Sequence, residues 1–154
     1  MDLLRRHNAG FSFFEILIAI AVIGIIAAIV FPEIQDRSQQ AKESAAKENL
    51  QIVRQAIECY AAQHGGIGPG YPGNNPHIVP LEGEFYSRLV MDGYLMSRAQ
   101  NPFNNLKTVR IIKDNESLPA AATGQYGWIY KPATKTFKID APDNDSQGAL
   151  YYDY

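Results

Sequence analysis

Cysteine is almost absent from this chain, because Cys59 is the only one among 154 residues. No disulfide can therefore form within one copy. The sequence also lacks a G-x-S-x-G motif and a phosphate-binding glycine loop, and its three histidines do not have the spacing of metal ligands. We therefore expect a protein that is not an enzyme. Cys59 is expected to be a packed thiol near the inner edge of a helix, with an intersubunit disulfide as the alternative.

Basic residues are neither abundant nor clustered, since 14 Lys and Arg stand against 16 Asp and Glu, for a net charge of -2. A nucleic-acid-binding face needs clustered lysine and arginine, so no nucleic-acid partner is expected. The length allows one domain plus an anchor.

One long apolar run is present, from Phe11 to Phe31, and its only ionisable residue is Glu15. A bilayer core takes about 20 such residues as a helix, so the run is long enough to span a membrane. Arg5 and Arg6 precede it and predict a cytoplasmic N-terminus. A carboxylate in such a helix costs about 2.5–3.5 kcal/mol, which predicts a dedicated partner for Glu15. The alternative is a tolerated charge near the end of a simple anchor.

The start of the chain combines a short basic segment, a glycine at position 10, and the sequence FSFFE before the apolar helix. This arrangement resembles the signal of type IV prepilins and type II secretion pseudopilins. The resemblance implies that residues 1–10 are a leader, that a prepilin peptidase cuts after Gly10, and that the new amino terminus, Phe11, is methylated. It also implies that Glu15 pairs with the terminal amine of a neighbouring subunit. A buried carboxylate becomes tolerable when a cation joins it.

Two further residues of the anchor bear on assembly. Pro32 removes a backbone donor and clashes one turn back, so we expect the helix to bend near residues 28–31. Gly24 weakens the same region, and with Ala28 it forms a small-xxx-small pair that lets another helix approach closely. The alternative is that glycine is simply commoner in membrane helices. The resemblance implies that pilin helices lose regularity between Gly24 and Pro32 in a filament.

In residues 32–64, apolar residues recur every three or four positions. This spacing predicts an amphipathic second half of the long helix, ending at Gly65. Together with 11–31 it would be about 80 Å long. The positions predicted to face inward are Ile34, Ala41, Ala45, Leu50, Val53, Ile57, Tyr60, Ala61 and His64. The positions predicted to form a solvated charged face are Lys42, Glu43, Lys47, Glu48, Arg54 and Glu58.

Residues 65–154 are predicted to form a globular domain of the α+β class. Glycine and proline make 65–80 an irregular loop, and a short helix is expected from Glu82 to Met91. Strands are expected at 107–113, 125–131 and 134–140, as an antiparallel three-stranded sheet with one apolar face packed on the long helix. This arrangement resembles the pilin fold, and in particular the major pseudopilins of type II secretion.

The acidic C-terminal tail follows the start of a calcium loop. Asp143, Asp145 and Gln147 would supply oxygens at positions one, three and five, before Gly148. The pattern fails at position twelve, where no glutamate stands, and the alternative is a solvated tail. The resemblance implies calcium, because major pseudopilins bind it in a C-terminal loop. Three nearby tyrosines, Tyr151, Tyr152 and Tyr154, either fill a subunit interface or finish the core.

These observations predict a structural subunit of a type IV-pilus-like filament, most simply a type II secretion pseudopilin that acts in protein export. The alternatives are a type IV pilus subunit for adhesion or motility, and a membrane-anchored module that binds a ligand through loop 65–80. The resemblance implies a homo-oligomeric filament, a prepilin peptidase, an inner-membrane assembly platform and a separate ATPase. It places the precursor in the inner membrane and the filament in the periplasm or outside the cell.

Overall fold

The computed structural model describes residues 12–154. Two helices and three strands follow one another as α1 (Phe13–Gln63), α2 (Glu82–Met91), β1 (Val109–Ile111), β2 (Trp128–Lys131) and β3 (Thr136–Ile139). The chain divides into two compact units, the first ending at Ser38 and the second spanning Gln39–Tyr154. The α+β class and the long N-terminal helix of the pilin fold are confirmed.

Helix α1 ends beside the glycines that were predicted to stop it, and a serine caps its first turn. Ser12 caps it, because the Ser12 Oγ accepts a hydrogen bond from the Phe14 backbone at 3.3 Å. At the other end Gly65 and Gly66 adopt positive φ angles of 65° and 88°. The Gly66 N–H then donates to Ala61 O at 2.8 Å, which satisfies a carbonyl of the last turn. The helix bends within 28–33, where proline at position 32 predicts it.

The main core lies between α1, α2 and one face of the sheet. Each large apolar side chain that is fully buried there stabilises the fold by about 1.5–3 kcal/mol. The principal members are Leu50, Val53, Ile57, Tyr60, Phe85, Leu89, Trp128, Tyr130 and Phe137. Two residues of α1 that were predicted to face the core, Ile34 and Ala41, are exposed, so these two predictions are wrong. The core cluster begins only at Ala46, so the earlier apolar positions have no core to enter.

The sheet has the order β1-β2-β3 and is mixed. Strands β2 and β3 pair antiparallel through the turn Pro132–Thr134, as predicted. Strand β1, however, pairs parallel with β2, with Val109 opposite Trp128, so the all-antiparallel prediction is wrong. The reason is the long link of residues 112–127. It is long enough to return the chain to the start of β2, which a parallel pair requires.

The second face of the sheet is also covered, contrary to the expectation of a single apolar face. Ile129 is fully buried between its core neighbours, and it packs with Ile112 and Tyr152 in a separate cluster. Leu118 and Ala122 flank that cluster. The 112–127 link and the C-terminal segment therefore supply a second layer, which explains why three successive residues of β2 are buried.

Candidate functional site

The first turns of α1 form an apolar surface that nothing in the described chain covers. Phe13 is 81% exposed and Phe14 is 67% exposed, and the large apolar side chains that follow are about half exposed. Glu15 lies in the first turn, near the positive end of the helix dipole, and is also exposed. No hydrogen bond or ion pair joins its carboxylate to another described residue. An apolar surface of this extent requires lipid or other protein chains around it.

The other residues predicted to act in processing and assembly are Gly10, Phe11, Gly24 and Pro32. Gly10 and Phe11 lie outside the described residues. Gly24 has open space around the position of an added Cβ, so the surface there is free for a close approach by another helix. Pro32 is in the bent part of α1. The structure brings none of Glu15, Gly24 and Pro32 into contact, because they follow one another along a single helix.

Among the described residues, no single helix has the length and hydropathy to cross a membrane. The segments Phe13–Ala28 and Glu33–Gln63, separated by a bend, meet that standard only as a pair.

The second unit contains a polar network that sequence reasoning missed. Glu43, predicted to be on a solvated face, is only 7% exposed. Its carboxylate accepts hydrogen bonds from the Ser146 backbone at 3.0 Å and the Ser146 hydroxyl at 3.1 Å. It also accepts one from the Tyr151 hydroxyl at 3.2 Å, and Gln39 donates to the same hydroxyl. One carboxylate of α1 thus fastens the C-terminal segment to the helix.

Arg54 makes a second attachment between α1 and the C-terminal segment. Its guanidinium donates to the Phe137 carbonyl of β3 at 2.8 Å and to the Tyr154 main-chain oxygen at 2.6 Å. Burial lowers the pKa of Arg54 from its ordinary value. The prediction that Glu43 and Arg54 belong to a solvated face is therefore wrong. Both lie at the margin of the buried stripe, where a long side chain can reach main-chain groups beyond the core.

A buried carboxylate at the end of β3 organises the loop before β2. Asp140 is fully buried, and it accepts hydrogen bonds from the Gly124 backbone at 3.1 Å and the Tyr126 backbone at 3.0 Å. The Thr123 hydroxyl also donates to it at 2.8 Å. The single acidic residue after an alternating strand is the only sequence signal for this role, and the same pattern fits a solvated strand end.

The predicted calcium residues lie in the C-terminal segment, where hydrogen bonds within the protein engage the Asp145 carboxylate and the Asp143 carbonyl. Asp145 Oδ1 accepts hydrogen bonds from the backbones of Gln147 at 2.9 Å and Ala149 at 2.8 Å, and Oδ2 accepts one from the Tyr154 hydroxyl at 2.7 Å. The exposed Asp143 contributes only its carbonyl, to Tyr151 N. Among the described residues no three His, Cys, Asp or Glu side chains gather as a metal site. Both oxygens of the Asp145 carboxylate already accept hydrogen bonds from the protein, and calcium binding stays a prediction.

The remaining candidate residues are Cys59, the C-terminal tyrosines and His64. Cys59 is exposed, so its prediction as a packed thiol is wrong. The C-terminal tyrosines finish the core, because Tyr151 and Tyr152 are buried and Tyr151 stacks on Phe103 at 3.9 Å between ring centroids. His64 stacks on Tyr60 at 3.9 Å between ring centroids, and among the described residues it belongs to no group of three or more His, Cys, Asp or Glu that could hold a metal ion.

Comparison with known proteins connects this architecture to a family. Residues 5–31 match the prokaryotic N-terminal methylation motif. Type II secretion system core protein G of Pseudomonas aeruginosa is 36% identical over 102 residues, which are 66% of this chain and 72% of that protein. The protein of the same name from Aeromonas hydrophila is 22% identical over 106 residues, 66% of this chain and 71% of that protein.

Pilins match over a shorter stretch. A fimbrial protein of Neisseria meningitidis is 36% identical over 72 residues, 47% of this chain and 40% of that protein. No solved structure matches the chain. Because the match to the Pseudomonas relative extends well beyond the methylation motif and covers more than two thirds of that protein, the chain belongs to the family of type II secretion system core protein G.

Proposed function

We propose that this chain is the repeating structural subunit of a type II secretion pseudopilus, a filament that acts in protein export. The observation that supports this most is the uncovered apolar surface of α1 with one carboxylate, Glu15, at its start. Such a surface suits two successive environments, lipid before assembly and other copies of α1 afterwards. Glu15 pairs in the filament with the methylated amine of Phe11 of a neighbouring copy, which offsets the cost of burying the carboxylate.

The chain is made as a precursor with residues 1–10 as a cytoplasmic leader and 11–31 as the membrane segment. A prepilin peptidase removes the leader after Gly10. Residues 32–64 continue the helix outside the membrane and support the globular part, 65–154. Extraction from the membrane requires an assembly platform and an ATPase supplied by other proteins, and the bend at Pro32 and the open surface at Gly24 let α1 adapt to its neighbours.

N-terminal sequencing of the protein from the cell envelope of the producing bacterium tests this proposal. The expected mature chain begins at an N-methylated Phe11. A retained Met1 would instead favour a membrane-anchored binding module that uses loop 65–80, and would contradict the filament proposal.

A type IV pilus subunit is the second candidate, favoured by the match to the Neisseria fimbrial protein. Electron microscopy and a secretion assay on a deletion strain separate the two functions. Loss of secretion with no change in surface filaments is expected for a pseudopilin. Loss of surface filaments with secretion intact would favour the pilus subunit.

Calcium binding by Asp143, Asp145 and Gln147 is tested separately by calorimetry on the protein stripped with chelator. Heat on adding calcium, and a higher melting temperature, would support the site. Absence of both would exclude it and leave the filament proposal untouched.

A further inference from the structure

Two Asn-x-Ser motifs lie in the second unit. They are Asn115-Glu116-Ser117 and Asn144-Asp145-Ser146, and neither has proline at its middle position. In an exported protein such a motif is an acceptor for an N-linked sugar when it lies on an accessible surface. The two motifs have the same chemistry, so only their positions in the folded protein distinguish them.

The first motif is open to solvent. Asn115 and Ser117 are exposed, and they lie in the 112–127 link shortly after β1. Neither the Asn115 amide nor the Ser117 hydroxyl makes a hydrogen bond with another described residue. A glycosyltransferase can therefore reach both polar groups of the motif without breaking a hydrogen bond within the protein.

The turn that carries Asn115 is nevertheless held in place. The Glu116 N–H donates to the Lys113 carbonyl at 3.0 Å, which closes the turn. The carboxylate of Asp114, the residue before Asn115, accepts a hydrogen bond from the Tyr71 hydroxyl at 2.7 Å. A sugar on Asn115 would therefore extend from a defined point on the surface.

The second motif is engaged by the protein itself. The Ser146 backbone and the Ser146 hydroxyl donate to the Glu43 carboxylate at 3.0 Å and 3.1 Å. Asn144 pairs with Leu150 in a β-bridge. Because the hydroxyl that belongs to the acceptor motif is already bonded here, the folded protein presents Asn115 and not Asn144 as the acceptor.

Asn115 also borders a depression of about 380 Å³ whose lining consists of residues 76–80 and residues 113–115. The first group contributes apolar side chains that remain open, since Ile78 is 45% and Val79 is 55% exposed. The second group contributes polar side chains. A sugar ring has apolar C–H faces as well as hydroxyls, so this mixture of apolar and polar groups suits a sugar.

We propose that Asn115 is N-glycosylated and that the first sugars of its glycan lie in this depression. In the reaction the Asn115 amide nitrogen bonds to C1 of the sugar and gives up one proton to a base. The bond from C1 to the diphosphate oxygen breaks, and the diphosphate leaves with the electron pair.

The sugar donor is a lipid-linked glycosyl diphosphate. The charged phosphates of a nucleotide sugar do not cross a bilayer, whereas a lipid-linked donor is available at the membrane surface. This choice of donor rests on the proposed function, which places the globular part outside the cytoplasm.

Peptide mass spectrometry of the full chain, purified from the envelope of the producing bacterium, tests the site. Trypsin separates the two motifs, because Lys135 and Lys138 lie between them. The expected result is a glycopeptide that contains Asn115 and an unmodified peptide that contains Asn144.

Variants of each motif make the assignment specific. Asn115→Gln and Ser117→Ala should each abolish the modification, because each removes one half of the motif, while the matched control Asn144→Gln should leave it unchanged. An unmodified Asn115, or equal occupancy of Asn144, would overturn the proposal. The N-terminal peptide of the same digest reports on the proposed function separately, since a mature chain that begins at Phe11 with Asn115 unmodified leaves that function standing.

Cysteine labelling tests where the sugar lies. In a Cys59→Ser background, Val79→Cys should react with a maleimide several times more slowly in the glycosylated protein than in the same protein with Asn115→Gln. Met96→Cys is the matched control, because Met96 is fully exposed outside the depression and its labelling rate should not depend on residue 115. Equal labelling rates for Val79→Cys with and without the sugar would overturn the placement of the glycan in the depression.

Discussion

At the scale of single residues, the carboxylate of Glu43 decides how the C-terminal segment is held. It is the acceptor for three hydrogen bonds from residues more than one hundred positions away, so it joins the two ends of the second unit. Hydrogen bonds to a charged group each make a net contribution of about 1.5–3 kcal/mol to stability. The three bonds share one carboxylate, so their contributions do not simply add, but leaving the donors unpaired is costly.

We expect Glu43→Gln to lower the free energy of unfolding by about 1–3 kcal/mol, because an amide cannot accept all the donors that the carboxylate accepts. Thermal unfolding of the full chain in detergent, followed by the near-UV circular dichroism of its tyrosines, measures the change. Glu48→Gln is the matched control, since Glu48 is exposed on the same helix and its replacement should change stability by less than about 0.5 kcal/mol. Equal melting temperatures for the two variants would contradict the attachment.

A second residue-scale prediction concerns pH. Burial by itself would raise the pKa of Asp140, but hydrogen bonds from Thr123, Tyr126 and Gly124 outweigh it and hold the pKa below its ordinary value of 3.8. A carboxyl group whose pKa is lower in the folded state stabilises the fold above the pKa of the unfolded state. That stabilisation is lost as the pH falls below 3.8 and through the folded-state pKa.

We therefore expect Asp140→Asn to melt at a lower temperature than the wild type at neutral pH, because its amide presents a donor to other donors. Between about pH 5 and pH 2 the wild type should lose stability more steeply than Asp140→Asn. Melting curves of both proteins across this range provide the measurement. Parallel pH profiles would show that another group is responsible for the acid sensitivity.

Neither buried carboxylate could be identified from the sequence. Glu43 precedes Lys47 by four residues, which is the usual pattern of an exposed helical pair, and Asp140 follows an alternating strand as a polar terminal residue. Their burial depends on where distant loops pack. Glu15, by contrast, could be predicted, because a charge in an apolar run is anomalous whatever the tertiary structure is.

At the scale of elements, the helices were predictable and the sheet only in part. The bounds of α2 agree with the prediction because its apolar spacing and the Asp92-Gly93 stop are local signals. The β2–β3 hairpin is local too, since its turn is short. The direction of β1 depends on the path of the 112–127 link, whose sequence carries no periodic signal. A parallel pairing of this kind is a tertiary property that propensity does not encode.

Gly127, directly before β2, lies against the backbone that precedes β1, and it gives a prediction at this scale. A Cβ at this position would lie 2.5 Å from Leu106 O and 3.2 Å from Thr108 O, both of which are backbone atoms. We expect Gly127→Ala to lower the free energy of unfolding by about 1–3 kcal/mol, because the backbone must shift. Chemical denaturation measures it.

Gly83→Ala in α2 is the matched control, since nothing lies within 4 Å of its added Cβ. Alanine favours a helix over glycine by up to about 1 kcal/mol, so this variant should be equally or more stable than the wild type. If both alanine variants are as stable as the wild type, the close approach at Gly127 does not constrain the fold.

At the scale of the whole molecule, the two units have opposite requirements. The second unit buries its large aromatic residues, with Trp128, Tyr130 and Phe137 almost fully covered, and is self-sufficient as a core. The first leaves Phe13, Phe14 and the aliphatic side chains after them exposed. Folding of the second unit should therefore be independent of the interactions that the apolar start of α1 makes with lipid or with other copies.

This independence leads to the last prediction. Glu15→Ala removes a carboxylate that makes no hydrogen bond or ion pair with another described residue, so peptidase processing after Gly10 and the stability of the second unit should be unchanged. Filament yield should fall at least tenfold, because a pairing worth about 1.4 kcal/mol or more per contact is lost at every subunit. Mass spectrometry of the mature N-terminus, limited proteolysis and counts of immunolabelled filaments measure the three properties. Glu33→Ala is the control, since Glu33 makes only an exposed pair with Arg37 at 2.6 Å, which contributes little. Normal filament yield from Glu15→Ala, or an equal loss in both variants, would refute the pairing role.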